Sequence, residues 1–152
     1  MKITLVGQFR LQCFDRYGRQ KFDTGFLHNI ITNAGKAQMA LLAGDASATP
    51  FTYLAVGTSA TAVAATDTTL TAEITDTGLA RAAGTVSRIT TTVTNDTLNV
   101  TYTWTASGSK TIEEIGLFNA ASAGTMLGHA LTTSKSVVNT DVLIGTYQVK
   151  FA

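Results

Sequence analysis

Residues 97–105 alternate strictly. Leu98, Val100, Tyr102 and Trp104 fall on one parity; Thr97, Asn99, Thr101, Thr103 and Thr105 fall on the other. A period of two marks a strand with one face turned to a core. The preceding run, 86–94, puts Ile89 and Val93 on one parity and Arg88, Thr90, Thr92 and Thr94 on the other. Asn95-Asp96 lies between them and tolerates the positive φ of a two-residue type I′ turn. Such a turn predicts that Thr94 faces Thr97, Val93 faces Leu98, Thr91 faces Val100, Ile89 faces Tyr102 and Ser87 faces Trp104. The apolar parities then share one face. The other becomes a threonine ladder, with Thr90 opposite Thr101 and Thr92 opposite Asn99.

The same period recurs along the chain. In 2–14, Ile3, Leu5, Phe9, Leu11 and Cys13 share a parity. Asp15-Arg16-Tyr17-Gly18 reads as a turn, and 19–31 as a returning strand with Phe22, Phe26 and Ile30 on one parity. Asn33 is placed to cap a short helix over 34–43, AGKAQMALLA, that Gly44 ends. Met39 and Leu42 share a face of it, so it should lie across an open end or edge of a sheet. FTYLAVG (51–57), TIEEIGLFN (111–119), TMLGHALTT (125–133) and DVLIGTYQVKFA (141–152) read as further strands. Residues 58–78 are small and polar without a clear period; they read as a long connection with one helical turn near Asp67–Glu73. A structureless loop of that length often carries an interaction. The predicted fold is all-β: an antiparallel β-sandwich or jelly-roll-like barrel of about eight strands with one short helix near residues 34–43. No linker or repeat divides it, so 1–152 is expected to form a single β domain.

Composition strengthens that picture. The chain holds 28 threonines, and charged residues make up only 14%. Threonine is β-branched and favours extended backbone. The surface should therefore be polar but nearly uncharged. Net charge is +1 with no basic run, so a nucleic-acid footprint is missing. No stretch is long and apolar enough to span a membrane, and the N-terminus alternates instead of carrying a signal-peptide core. One cysteine, Cys13, excludes an intrachain disulfide.

Candidate chemistry is sparse. His28 and His129 lack metal-ligand spacing and read as half-buried strand residues. Cys13 sits on an apolar parity and reads as core. Glu113 and Glu114 are adjacent in a strand and so point to opposite faces; one is expected to be buried beside Arg81 or Arg88 and the other solvated. Asp67, Glu73 and Asp76 fall near one another in the long connection but lack EF-hand spacing, and read as caps and solvated acids. Gly57-Thr58-Ser59 is not a P-loop, and no G-x-S-x-G is present. No catalytic, metal or cofactor residues are assigned, and the chain is not expected to be an enzyme. Tyr102 and Trp104 read as core, which disfavours a sugar-binding sandwich built on them.

Several stretches together resemble small virion proteins of tailed bacteriophages: FLHNIITNAGKAQMALLAGD, YLAVGTS with DTTLTAEI, GLAR, and EIGLFNAASAGTMLGHAL. The resemblance covers roughly residues 25–131, and GLFNAASAGTML is its most specific part. Such proteins are tail-fibre, baseplate-associated or head-decoration components. The resemblance implies assembly contacts and no catalytic site. With no shaft repeat or heptad in the chain, capsid decoration (a cement protein on the major capsid protein) is the first expectation. The alternative is a tail-fibre, tail-tip or baseplate-associated protein, and a carbohydrate-binding β-sandwich is a more distant one. Location in the virion, assembly in the host cytoplasm, and contacts with other virion proteins follow from the resemblance. Val6 and Phe14 on the polar parity of 2–14 predict a second apolar face and hence a homo-oligomer.

Overall fold

The structure, a computed structural model, describes residues 2–152. Its first strand, β1 (Leu5–Phe14), buries Phe9, Leu11 and Cys13 completely, as the parity requires. Asp15 then reverses the chain: its Oδ1 accepts the backbone N–H groups of Tyr17 and Arg19, and Gly18 supplies a φ of 77°. The predicted strand 19–31 is instead three pieces, β2 (Gln20–Asp23), β3 (Leu27–His28) and β4 (Ile30–Ile31). Gly25, at φ 63°, breaks the first from the second. Both β2 and β3 pair with β1, whereas β4 pairs with a strand of the opposite sheet. The chain thus changes sheets at Asn29, which no single extended run could do.

Thr32, rather than Asn33, caps the helix α1 (Asn33–Gly44). Its Oγ1 accepts the Gly35 N–H at 2.8 Å and donates to the Met126 carbonyl. Met39 and Leu42 pack against the core as expected. The remaining strands are β5 (Tyr53–Gly57), β6 (Ala82–Ala83), β7 (Thr85–Ile89), β8 (Thr97–Thr105), β9 (Lys110–Phe118), β10 (Met126–Val137) and β11 (Val142–Phe151). They form two antiparallel sheets. The six-stranded sheet runs β2-β1-β11-β8-β7, with β3 also on β1; the five-stranded sheet runs β4-β10-β9-β5-β6. Their facing sides share one core, with Phe9, Leu11, Val100, Trp104, Leu143 and Tyr147 from the first and Leu54, Val56, Ile112, Ile115 and Leu117 from the second. The fold is the expected sandwich, with short edge strands added to the strands read from the sequence.

The 86–94/97–105 pairing differs from the prediction. Val86 faces Val100, Ser87 faces Asn99 and Ile89 faces Thr97. No two-residue turn forms, because the Asp96 carboxylate gathers residues 90–96 into a wider loop. It accepts the backbone N–H groups of Thr91, Thr92 and Val93 at 2.8–2.9 Å. Those three charge-assisted bonds outweigh the ladder bonds that a tight turn would have kept. Asn95 does take a positive φ, 60°. The alternation of 86–94 misled because β7 is an edge strand and Val93 is 67% exposed.

The connection after β5 contains no helical turn near 67–73. It is strapped across the outer face of the five-stranded sheet, where Leu70 covers Ala55, Phe118 and Met126 in a second small core. Ile74 and Leu79 reach the main core. These widely spaced apolar residues have no period because each plugs a separate site. β9 is consequently buried on both faces.

Candidate functional site

The two outer faces are built differently. On the six-stranded sheet, register sets rows of side chains across the strands. Gln8, Gln148, Asn99 and Ser87 stand in one row. They are hydrogen-bonded in sequence: Gln8 Nε2 to Gln148 Oε1 at 2.7 Å, Gln148 Nε2 to Asn99 Oδ1 at 3.0 Å, and Asn99 Nδ2 to Ser87 Oγ at 3.1 Å. The next row holds Arg10, Thr146, Thr101 and Thr85, followed by Gln12, Ile144 and Thr103. The threonine ladder expected beside β8 therefore exists, with Thr85 in place of Thr90 and Ser87 in place of Thr92. Arg10 is paired with Asp23, and Lys150, between Val6 and Thr97 in the preceding row, is the one cation of these rows without an ion-pair partner among the described residues. Val6 is 36% exposed on this side and Phe14 is half-buried.

The five-stranded sheet carries a buried charged cluster under the connection. Glu114 shares the outward parity with Gly116 and Phe118, and its carboxylate is fully buried. It accepts the backbone N–H groups of Thr71 at 3.0 Å and Ala72 at 2.7 Å, and His129 Nε2 lies 2.8 Å from it. His129 Nδ1 lies 2.8 Å from Asp67. Carboxylates only accept, so both ring nitrogens donate and the ring is an imidazolium. Burial alone would lower the His129 pKa, but the bonds to Glu114 and Asp67 outweigh it and hold it above the ordinary value. Burial would likewise raise Glu114, yet His129 and the two backbone donors leave it depressed. A second clasp closes the connection farther on. Arg81 meets Glu73 at 2.6 and 2.9 Å, lies over the Phe118 ring at 3.5 Å, and donates to the Ala120 and Ala123 carbonyls.

These contacts revise the expected partners. Glu114 is the buried member of its pair, but its cation is His129; Arg81 serves Glu73 instead. Glu113 is half-buried instead of solvated, and its carboxylate accepts from the Ser134 hydroxyl. His28 is exposed on β3, whereas His129 is fully buried, so neither is half-buried as predicted. The connection's acids diverge, with Asp67 on His129, Glu73 on Arg81 and Asp76 on Lys110. Among the described residues no group of three or more His, Cys, Asp or Glu is placed to hold a metal ion. Cys13 is core, and burial raises its thiol pKa to about 11. Trp104 is buried and donates from Nε1 to the Ala80 carbonyl, with Tyr102 edge-on at 5.0 Å. One sequence signal could have revealed the cluster. Both parities of β9 are apolar (Ile115 and Leu117, Gly116 and Phe118), so a carboxylate on that strand must be covered and paired.

A family model described as Podophage GP4 fiber I protein gp80 matches residues 30–149. The chain belongs to this family. It is a structural protein of a tailed-phage virion, as the shared stretches from FLHNIITNAG to GTMLGHAL led us to expect. Searches among curated proteins and among solved structures each return no match. The family match spans α1, the strapped connection with both clasps, and every strand of the five-stranded sheet. The matched span therefore contains the whole clasped sheet, while β1–β3 precede it.

Proposed function

We propose that the chain is a non-enzymatic component of the phage tail-fibre apparatus that works through contacts with other virion proteins. The observation that carries this reading is the fiber I family match over residues 30–149. Capsid decoration stood first on sequence grounds; the fibre family favours the tail reading that stood second. The contact face we assign is the outer side of the six-stranded sheet. Its threonine, asparagine and glutamine side chains offer donors and acceptors with little charge to desolvate. Val6 and Phe14 add apolar area where a second copy of the chain would pack, which supports a homo-oligomer.

Location is tested by quantitative mass spectrometry of purified virions combined with antibody-labelled electron microscopy. A few copies per particle with label at the tail are expected. Hundreds of copies with label over the head would overturn the tail reading. The contact face is tested by Thr103→Lys. That change places a charge at an exposed position of this face, in the row with Ile144 and Gln12, and should leave melting unchanged while lowering incorporation into particles.

A further inference from the structure

At one end of the sandwich the β1–β2 tip and the β10–β11 turn border an open groove of about 280 Å3. Arg16, Tyr17 and Arg19 line one wall; Asn139 and Thr140 line the other. Tyr17 is 67% exposed, an unusual position for an aromatic ring in a chain that buries its tryptophan. Both guanidinium groups lie over that ring, Arg16 at 4.7 Å and Arg19 at 5.1 Å from the centroid. Arg16 also donates to the Tyr17 hydroxyl at 2.6 Å. The tip is held from within, because Asp15 takes the backbone N–H groups of Tyr17 and Arg19 and the Arg19 Nε at 2.7 Å.

Charge in the groove is unbalanced. Asp15 is spent on Arg19, and the buried Asp141 is spent on Lys21 and the Val138 N–H. Arg16 has no carboxylate partner among the described residues. Opposite it, the Asn139 amide and the Thr140 hydroxyl make no side-chain hydrogen bond among those residues. Thr140 is held at φ 73°, with its N–H on the Ala106 carbonyl. A β-branched residue in that region is strained, and such strain gathers at sites that bind.

We propose that this groove binds an acidic unit of a polysaccharide. The guanidinium fork matches a carboxylate or phosphate bidentately, and resting on Tyr17 fixes the fork before the ligand arrives. Asn139 and Thr140 meet the hydroxyls of the same unit. A single surplus positive charge in a short groove does not suit a nucleic acid, which requires a basic stripe.

The purified chain is titrated with tetragalacturonate, maltotetraose and inorganic phosphate, with backbone amide NMR shifts and calorimetry as readouts. Tetragalacturonate is expected to saturate, to shift amides in 15–19 and 138–141, and to bind at least about tenfold tighter than phosphate. Maltotetraose, which lacks the acid, should not saturate. Arg16→Ala should weaken tetragalacturonate by at least about tenfold at unchanged melting temperature. Arg16→Lys keeps the charge without the fork and should recover only part of the loss. The proposal is overturned if tetragalacturonate fails to saturate by about 10 mM, if its shifts map to the threonine face, if phosphate binds as tightly, or if Arg16→Ala binds like the parent. None of these readouts depends on where the protein sits in the virion.

Discussion

Replacing His129 with leucine tests whether the strapped connection is fastened by charge. His129 is 1% exposed and joins a fully buried Glu114 to Asp67. Removing it leaves Glu114 without its cation inside the protein, a change that typically costs about 3–5 kcal/mol. Two backbone N–H groups still reach Glu114, and Asp67, 27% exposed at its side chain, can turn to water. The expected loss is therefore near the lower end, about 3 kcal/mol around neutral pH. The pH dependence is the sharper readout. The His129 pKa is raised above its ordinary 6.5, so its contribution is complete below that value and is lost as pH rises through the folded pKa. Stability of the parent should fall there by up to about 1.4 kcal/mol per pH unit. Glu114 and Asp67 are lowered from 4.5 and 3.8; their contribution is complete above those values and fades as pH falls through the folded ones. The cluster thus stabilises most between the carboxylate and imidazole ranges. Urea unfolding followed by Trp104 fluorescence, from about pH 5 to 9, should show an alkaline decline in the parent that is absent from His129→Leu. An identical decline in both proteins, or a parent that gains stability with rising pH, would refute the imidazolium assignment.

Gly35→Ala should destabilise the protein, although alanine favours helix by about 1 kcal/mol, because a Cβ at Gly35 would lie 2.6–2.7 Å from the Leu127 backbone; the urea midpoint reads the sign. Trp104→Ala should cost about 3–5 kcal/mol as a large core truncation, read by circular dichroism since the substitution removes the fluorophore. Cys13 is buried with its pKa raised to about 11, so a thiol reagent at mildly alkaline pH should label it only after denaturant is added. We propose that 1–152 unfolds as one domain; the fluorescence and far-ultraviolet transitions of the parent should coincide, and two separate transitions would contradict it.

Strands with one covered and one open face were legible. Alternation in 2–14 and 97–105 found β1 and β8 and put Phe9, Leu11, Cys13, Val100 and Trp104 in the core, because each strand faces it on a single side; Ile3, on the same parity but before β1, is exposed, and Thr97, on the polar parity of β8, is buried. The pairing of β8 was not legible. The Asp96 side chain competes for backbone donors over 90–96, and parity carries no trace of that competition. The connection was misread for a related reason. Leu70, Ile74 and Leu79 are buried by the sheet beneath them and not by any periodic face of their own segment, so no period could announce them. His129 and Glu114 looked ordinary because their pairing joins β9, β10 and the connection, which only the folded chain brings together.

The two sheets divide the work in a way that explains the threonines on the outer face of the six-stranded sheet. The five-stranded sheet has its outer face covered, and burying that face requires two charged clasps, at His129 and at Arg81, to tie down a small and polar connection. Among the described residues the six-stranded sheet has no such cover, so its outer side chains must be tolerated by water and, under the proposed role, still be able to meet a neighbour. Leucine or valine throughout would leave an aggregating face, and lysine or glutamate throughout would repel a second copy. Threonine keeps the β-branched shape that the pleat prefers while exposing a hydroxyl. Contacts made through hydroxyls and amides carry little net charge, so salt screens them weakly. Under the proposed fibre role, a component that holds its neighbours across changing ionic strength is better served by this face than by ion pairs, and the amide row from Gln8 to Ser87 orders it in the free chain.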